Sequence, residues 1–233
     1  MYSADSGLAD AERAAAFLRA LERLPMFPLP NVVLLPNTFL PLHIFEPRYR
    51  KLTRDMLDGN RLVAMARQLG AADPLLAEDD GPPPVATIAG VGEVVMAQDL
   101  PDGRFNLVLR GCARVRILRE LQSDEPYRIV VASEIPDDPP GSEVELLDAE
   151  ASLRALAGGL AEALPEGGEL LKQVVAAQVS PSALADVVAS TLIADPRLRQ
   201  ELLETTDITR RITRVSAEVA AMAAELTTPG RWN

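Results

Sequence analysis

The apolar positions of this chain change their period near its middle. Between 104 and 117, Phe105, Leu107, Leu109, Ala113, Val115 and Ile117 share one parity, and Arg104, Asn106, Arg110, Arg114 and Arg116 share the other. Alternation of this length predicts a half-buried antiparallel strand. Gly111 falls inside it and marks a bend or bulge as the strand curls. Leu100-Pro101-Asp102-Gly103 is a turn signal, so 91–98 and 104–117 are expected to form a hairpin. Shorter strands are predicted at 62–68, at 85–89 and around Tyr127, Ile129 and Val131. One helix interrupts the series: Pro47 suits its first turn, Leu52 and Met56 face inward, and Gly59 ends it.

After Pro136-Asp137-Asp138-Pro139-Pro140-Gly141 the period becomes helical. That stretch is predicted to be an extended, exposed linker at 137–142, and 78–84 a surface loop. Ser142 and Glu145 form a capping box before Leu146, Ala149, Leu153, Leu156 and Leu160. Ser180-Pro181 and Asp195-Pro196 open two further helices. In the last helix Ile208, Ile212, Val215, Val219, Met222 and Leu226 step as a heptad seam. Phe17, Leu21 and Leu24 predict an amphipathic helix at the N-terminus. The expected architecture is α+β: helix 1–24, a β-rich, barrel-like domain 25–136, the linker, a helical bundle 143–226 and a tail 227–233.

Composition narrows the chemistry. The chain has 233 residues, 48% of them hydrophobic but only 4% aromatic, so Leu, Val, Ile and Ala must build the core. His43 is the one histidine, Cys112 the one cysteine, and Lys51 and Lys172 the two lysines. Multi-histidine and cysteine metal sites, an intrachain disulfide and the GxxxxGK[ST] phosphate loop are thereby excluded. No metal, cofactor or catalytic residue is predicted. The net charge of −11 is uneven: 137–233 holds 16 acidic and 8 basic residues, while 25–136 holds 14 and 12. Such a chain repels phosphate backbones, so no DNA partner is expected. No apolar run is long enough to span a bilayer, and acidic residues occupy the N-terminus where a secretory signal would be basic and apolar. A cytoplasmic protein is expected.

One stretch carries identity. Four prolines punctuate the apolar run Leu24-Pro25-Met26-Phe27-Pro28-Leu29-Pro30-Asn31-Val32-Val33-Leu34-Leu35-Pro36, and Leu40-Pro41-Leu42-His43-Ile44-Phe45-Glu46-Pro47-Arg48-Tyr49-Arg50 follows it. This pair of segments resembles the N-terminal domain of Lon proteases, and more closely the stand-alone bacterial proteins built of that domain alone. The likeness extends to Gly90-Val91-Gly92-Glu93-Val94, to 102–107, to 111–115, to Pro126-Tyr127-Arg128 and to the helical end, covering about 25–226. It implies a PUA-like β-barrel domain followed by helices. It also implies a non-catalytic polypeptide-binding module, an adaptor or regulator in protein quality control. Its expected partners are unfolded or partly folded polypeptides and a protease or chaperone, and the chain itself is a monomer or weak homodimer. Lon's ATPase and protease domains have no counterpart in these 233 residues, so no enzyme activity is expected. A small-ligand or RNA sensor using the PUA-like surface is the alternative.

Particular residues can be weighed on this basis. The Pro-broken segment 24–45 cannot give every backbone group to a ladder. Its large apolar side chains suit an extended, unfolded partner. Phe39 and Leu40, after the turn at Pro36-Asn37-Thr38, are the expected exposed members, with His43 at the edge. His43 is otherwise read as a histidine hydrogen-bonded at a strand end. Glu46, Arg48 and Tyr49 are read as the first turn of the helix. The arginines at 104, 110, 114 and 116 are read as one solvated, ion-paired face, and Cys112 as a small core residue.

Overall fold

A computed structural model describes residues 4–70, 83–164, 168–177 and 179–227. The predicted loop at 78–84, but for its last two residues, and the tail from 228 lie outside the described residues. The chain divides into two compact units, Met1–Ile135 and Pro136–Asn233. The elements are α1 (Ala4–Leu21), β1 (Leu24–Leu29), β2 (Phe39–Ile44), α2 (Pro47–Asp58), β3 (Leu62–Arg67), β4 (Ile88–Asp99), β5 (Phe105–Leu121) and β6 (Arg128–Ile135). In the second unit they are α3 (Glu143–Ala163), α4 (Gly168–Ala176), α5 (Pro181–Leu192), α6 (Pro196–Glu204) and α7 (Ile208–Thr227). The fold class is α+β. Among the described residues no helix is long and apolar enough to cross a membrane.

In the first unit the sheet order is β2-β5-β4-β3-β1-β6, and β6 returns to pair with β5. The five strands from β5 round to β6 therefore close a ring, and β2 is attached outside it to the first half of β5. β1 lies parallel to β3 and antiparallel to β6. The first helix ends at Leu21, and Leu24, expected to close it, instead starts β1, where it is fully buried. Two apolar clusters use opposite faces of these strands. Leu24 and Met26 pack with Ala64, Val91, Val115 and the end of α1. Phe27 packs with Val63, Met65, Phe105, Leu107, Leu109 and the inner side chains of α2. Of the predicted 85–89 strand, Val85 makes only an isolated bridge to Gln68, while Ile88 and Ala89 begin β4.

The long strand keeps its alternation only in pieces. Gly92 pairs with Gly111 and Val91 with Ala113, which leaves Cys112 as an extra residue on β5. Similar shifts leave Val95 extra on β4 and Leu118 extra on β5. An extra residue is unpaired and turned out of the sheet, and all three are exposed. The bulge at Cys112 also switches parity: Leu109 belongs to one core cluster and Val115 to the other. Close approach explains the glycines here. A Cβ at Gly90 would sit 1.9 Å from the Leu34 carbonyl oxygen, and one at Gly111 would sit 2.1 Å from that of Leu35. The Pro-broken segment thus crosses directly over β4 and β5.

In the second unit α3 packs on α7, α4 and α5, and α5 packs on α7. The starts are capped as the sequence implies: Ser142, Ser180 and Asp195 accept from the N–H groups of Glu145, Ala183 and Arg197. The heptad seam is consumed within the unit, with Ile212, Val215 and Val219 fully buried, although Leu226 at its end is exposed. The segment 138–141 is exposed as expected, but Asp137 and Asp138 are also tied down. The Arg211 guanidinium donates to both Asp137 carboxylate oxygens at 2.8 and 3.0 Å, and the Thr206 hydroxyl donates to Asp138 at 2.6 Å. A charged pair of this geometry is worth more than a neutral contact, so polarity here marks anchorage as well as solvation.

Candidate functional site

β2 is apolar on both faces, and the pleat sorts its side chains. Ile44 is buried, Leu40 and Leu42 are half-buried against the core, and Phe39, Pro41 and His43 are exposed on the other face. The register with β5 and β4 builds three cross-strand rows on that outer face. In the central row Pro41 lies opposite Val108, and Val108 opposite Met96. On one side Phe39 lies opposite Arg110, which ion-pairs with Glu93 at 2.5 Å. On the other, His43 Nδ1 and the Asn106 side-chain oxygen are 2.8 Å apart, and the Asn106 amide donates to Gln98 at 3.2 Å. Phe45 stacks beyond His43 at 6.3 Å between ring centroids. The side chains left most open are Phe39 at 64% exposure, Phe45 at 61% and Met96 at 55%, with the bulged Val95 beside Met96. Exposed aromatic and methionine side chains grouped on one face signal an interaction surface.

Phe39 and His43 thus share this face. Leu40 does not: in a strand, neighbours in sequence point to opposite faces, and its partner Leu109 is fully buried. The expectation that Leu40 is exposed is corrected on that ground. Phe45 was missed, although the parity Phe39-Pro41-His43-Phe45 is readable in the sequence. Met96 and Val95 were missed because their exposure depends on a bulge that no sequence pattern announces. The His43 ring also lies 3.3 Å from the Arg104 guanidinium, itself ion-paired to Asp102. His43 therefore sits in a polar ladder across three strands.

The arginines do not form one solvated face. The bulge after Gly111 separates Arg110 from Arg114, and Arg114 is buried at 4% exposure. Cys112 is not a core residue but an exposed one in a groove of about 770 Å³ between α1 and the sheet. The groove shields its sulfur enough for desolvation, helped by the Glu93 carboxylate, to push the thiol up, against the opposing Arg110. Cys112 is expected to react with iodoacetamide at pH 8 more slowly than free cysteine; a rate as fast as that of free cysteine would contradict the shift. At the start of α2, Arg48 ion-pairs with Glu46 at 2.9 Å and lies over the Tyr49 ring, while Tyr49 packs on Phe27. Burial disfavours ionisation of Asp55, but hydrogen bonds from Lys51 and Tyr127 outweigh it and hold the carboxyl below its usual range. Tyr127 donates to Asp55 at 2.6 Å and so fastens α2 to the segment leading into β6. Among the described residues no group of three His, Cys, Asp or Glu could hold a metal ion.

Comparison with known proteins agrees with this architecture. The chain is 29% identical over 196 residues to the Lon protease of Dictyoglomus thermophilum, covering 84% of this chain and 24% of that one. It is 31% identical over 197 residues to the Lon protease of Roseiflexus castenholzii, covering 83% and 23%. It thus spans about a quarter of these curated relatives. The N-terminal domain of a Mycobacterium avium complex Lon protease shares the fold, with a TM-score of 0.66 at 19% identity, covering 85% of this chain and 98% of that one. A Lon N-terminal domain protein from Xanthomonas campestris gives a TM-score of 0.57 at 25% identity, covering 84% and 97%. The family described as the ATP-dependent protease La (LON) substrate-binding domain matches residues 23–220. The match takes in every strand and runs from α2 into α7, and the chain belongs to that family.

Proposed function

We propose that this chain is a non-catalytic polypeptide-binding module, an adaptor or regulator in cytoplasmic protein quality control. It holds unfolded or partly folded chains on the outer face of β2, β5 and β4, and a partner protease or chaperone supplies any turnover. The observation that carries this reading is the row Pro41–Val108–Met96 with Phe39 and Phe45 at its flanks, left open on a sheet whose other face is covered. The family description supports it, since a protease's substrate is a polypeptide. So does the sequence, whose 233 residues contain no GxxxxGK[ST] loop. The closed ring of five strands supports a PUA-like barrel for the first unit. The seam of α7, occupied within its own unit, supports a monomer or weak homodimer over a coiled-coil dimer.

The test is fluorescence anisotropy with a labelled, permanently unfolded protein. Phe39→Ser combined with Met96→Ser removes two exposed apolar side chains. Losing part of the burial each would gain is expected to weaken binding about tenfold. The melting temperature should move by only about 2 °C, since neither side chain is in the core. Undiminished binding by the double variant would show that the partner lies elsewhere.

A further inference from the structure

β2 ends its sheet: β5 pairs with it on one side, and no described strand pairs with it on the other. The Gly111 N–H donates to the Thr38 carbonyl at 2.8 Å. From there the register runs Leu40 opposite Leu109, Leu42 opposite Leu107 and Ile44 opposite Phe105. Hydrogen-bonded pairs alternate along an antiparallel ladder. Leu40, Leu42 and Ile44 therefore turn their main-chain groups to β5, and Phe39, Pro41 and His43 turn theirs to the open edge. The place of Pro41 agrees, because a residue without an N–H belongs on the edge side. The edge thus offers three carbonyls, of Phe39, Pro41 and His43, and two N–H groups, of Phe39 and His43.

Proteins usually blunt such an edge with charges, bulges or prolines. β2 carries no acidic residue, lysine or arginine, and Pro41 is its one guard. We infer that β2 takes up an extended segment of another polypeptide as an added strand, and that the segment is an unbroken apolar run without proline. This rests on the polypeptide-binding reading above. Alternate side chains of the added strand would lie beside Phe39, Pro41 and His43 on the outer face, and the others beside the half-buried Leu40 and Leu42. Both neighbourhoods are dominated by apolar side chains, so both sets of the partner's side chains are apolar. A run apolar on both faces is what folded proteins cover on both sides of a sheet, and it becomes accessible when they unfold. The three edge carbonyls call for donors, which a proline in the run would withhold. A second copy of β2 fits poorly: a two-fold pairing centred on Pro41 sets proline against proline and loses both central hydrogen bonds.

The probe is a ten-residue peptide with a central run of valine, isoleucine and leucine, flanked by lysines. Its counterpart is methylated on the backbone nitrogens of that run, which keeps every side chain and removes the donors. The intact chain is expected to bind the methylated peptide at least about tenfold more weakly than the parent. His43→Pro should bind the parent about tenfold more weakly than His43→Ala, since both lose the imidazole and only the proline loses the edge N–H. Equal binding of the two peptides, or of the two variants, overturns strand addition. In that case the apolar-face reading still stands if Phe39→Ser with Met96→Ser weakens the parent peptide. No binding of the parent peptide by the unaltered chain sinks both. Should His43→Pro fail to fold, the methylated peptide decides alone.

Discussion

Gly111→Ala is expected to lower the unfolding free energy of the first unit by about 3 kcal/mol, at the upper end for an overpacked site. The new Cβ would fall 2.1 Å from the Leu35 carbonyl oxygen and 3.2 Å from Pro36 Cα. Both neighbours are backbone, so no side chain can swing aside. Leu35 cannot retreat cheaply either: it is buried, its carbonyl accepts the Thr38 hydroxyl at 2.6 Å, and Asn37 donates its N–H to the Gly111 carbonyl. Gly90→Ala meets the Leu34 carbonyl at 1.9 Å and is expected to cost as much. Thermal melts followed by circular dichroism should show losses on the order of 10 °C for each. An alanine variant at either position that melts within about 2 °C of the unaltered protein would show that the segment 33–36 does not rest on the sheet.

The second large effect belongs to Arg211, which is wholly buried. It reaches Asp137 on the connecting segment, Asp186 on α5 at 3.3 Å, the Ser182 hydroxyl and the Thr205 carbonyl. Arg211→Met keeps much of the apolar volume but leaves the Asp186 carboxylate, also wholly buried, without its guanidinium. Removing one member of a buried pair costs about 3–5 kcal/mol, because the other charge stays desolvated. Urea unfolding of the helices should shift by that amount. The double variant Arg211→Met with Asp186→Leu should recover a large part of it, since the stranded charge is then gone too. A single variant losing less than about 1 kcal/mol would show that water reaches the site.

The period change near 136 could be read from the sequence because strand and helix patterns differ by kind, and so could the helix starts, where Ser142, Ser180 and Asp195 cap as their side chains dictate. The short helix Gly168–Ala176 has no such start signal and was not marked out separately. Bulges set the limit for the strands. Cys112, read as core, is itself the extra residue and is exposed, and because one extra residue reverses every later side chain, Arg114, read as solvated, is buried. The candidate site shows the same boundary. Phe39 and His43 lie on it because the parity of one strand is local. Leu40 was misplaced by weighing hydrophobicity over parity, and Met96 joins the face only through pairing across β5.

The ring also has a timetable. β1 pairs Met26 with Ala64 and Leu24 with Val130, so its last partner lies more than 100 residues downstream. At roughly 5–20 residues per second, a ribosome leaves β1 without that partner for about 5–20 s. Throughout that wait the β6 edge of an apolar strand stands uncovered on the nascent chain, at risk of pairing with its like on a neighbouring chain. Pro25, Pro28, Pro30, Pro36 and Pro41 punctuate that strand and the segment after it. These residues thus serve beforehand as gatekeepers, denying the waiting segment the unbroken run of donors on which aggregation grows.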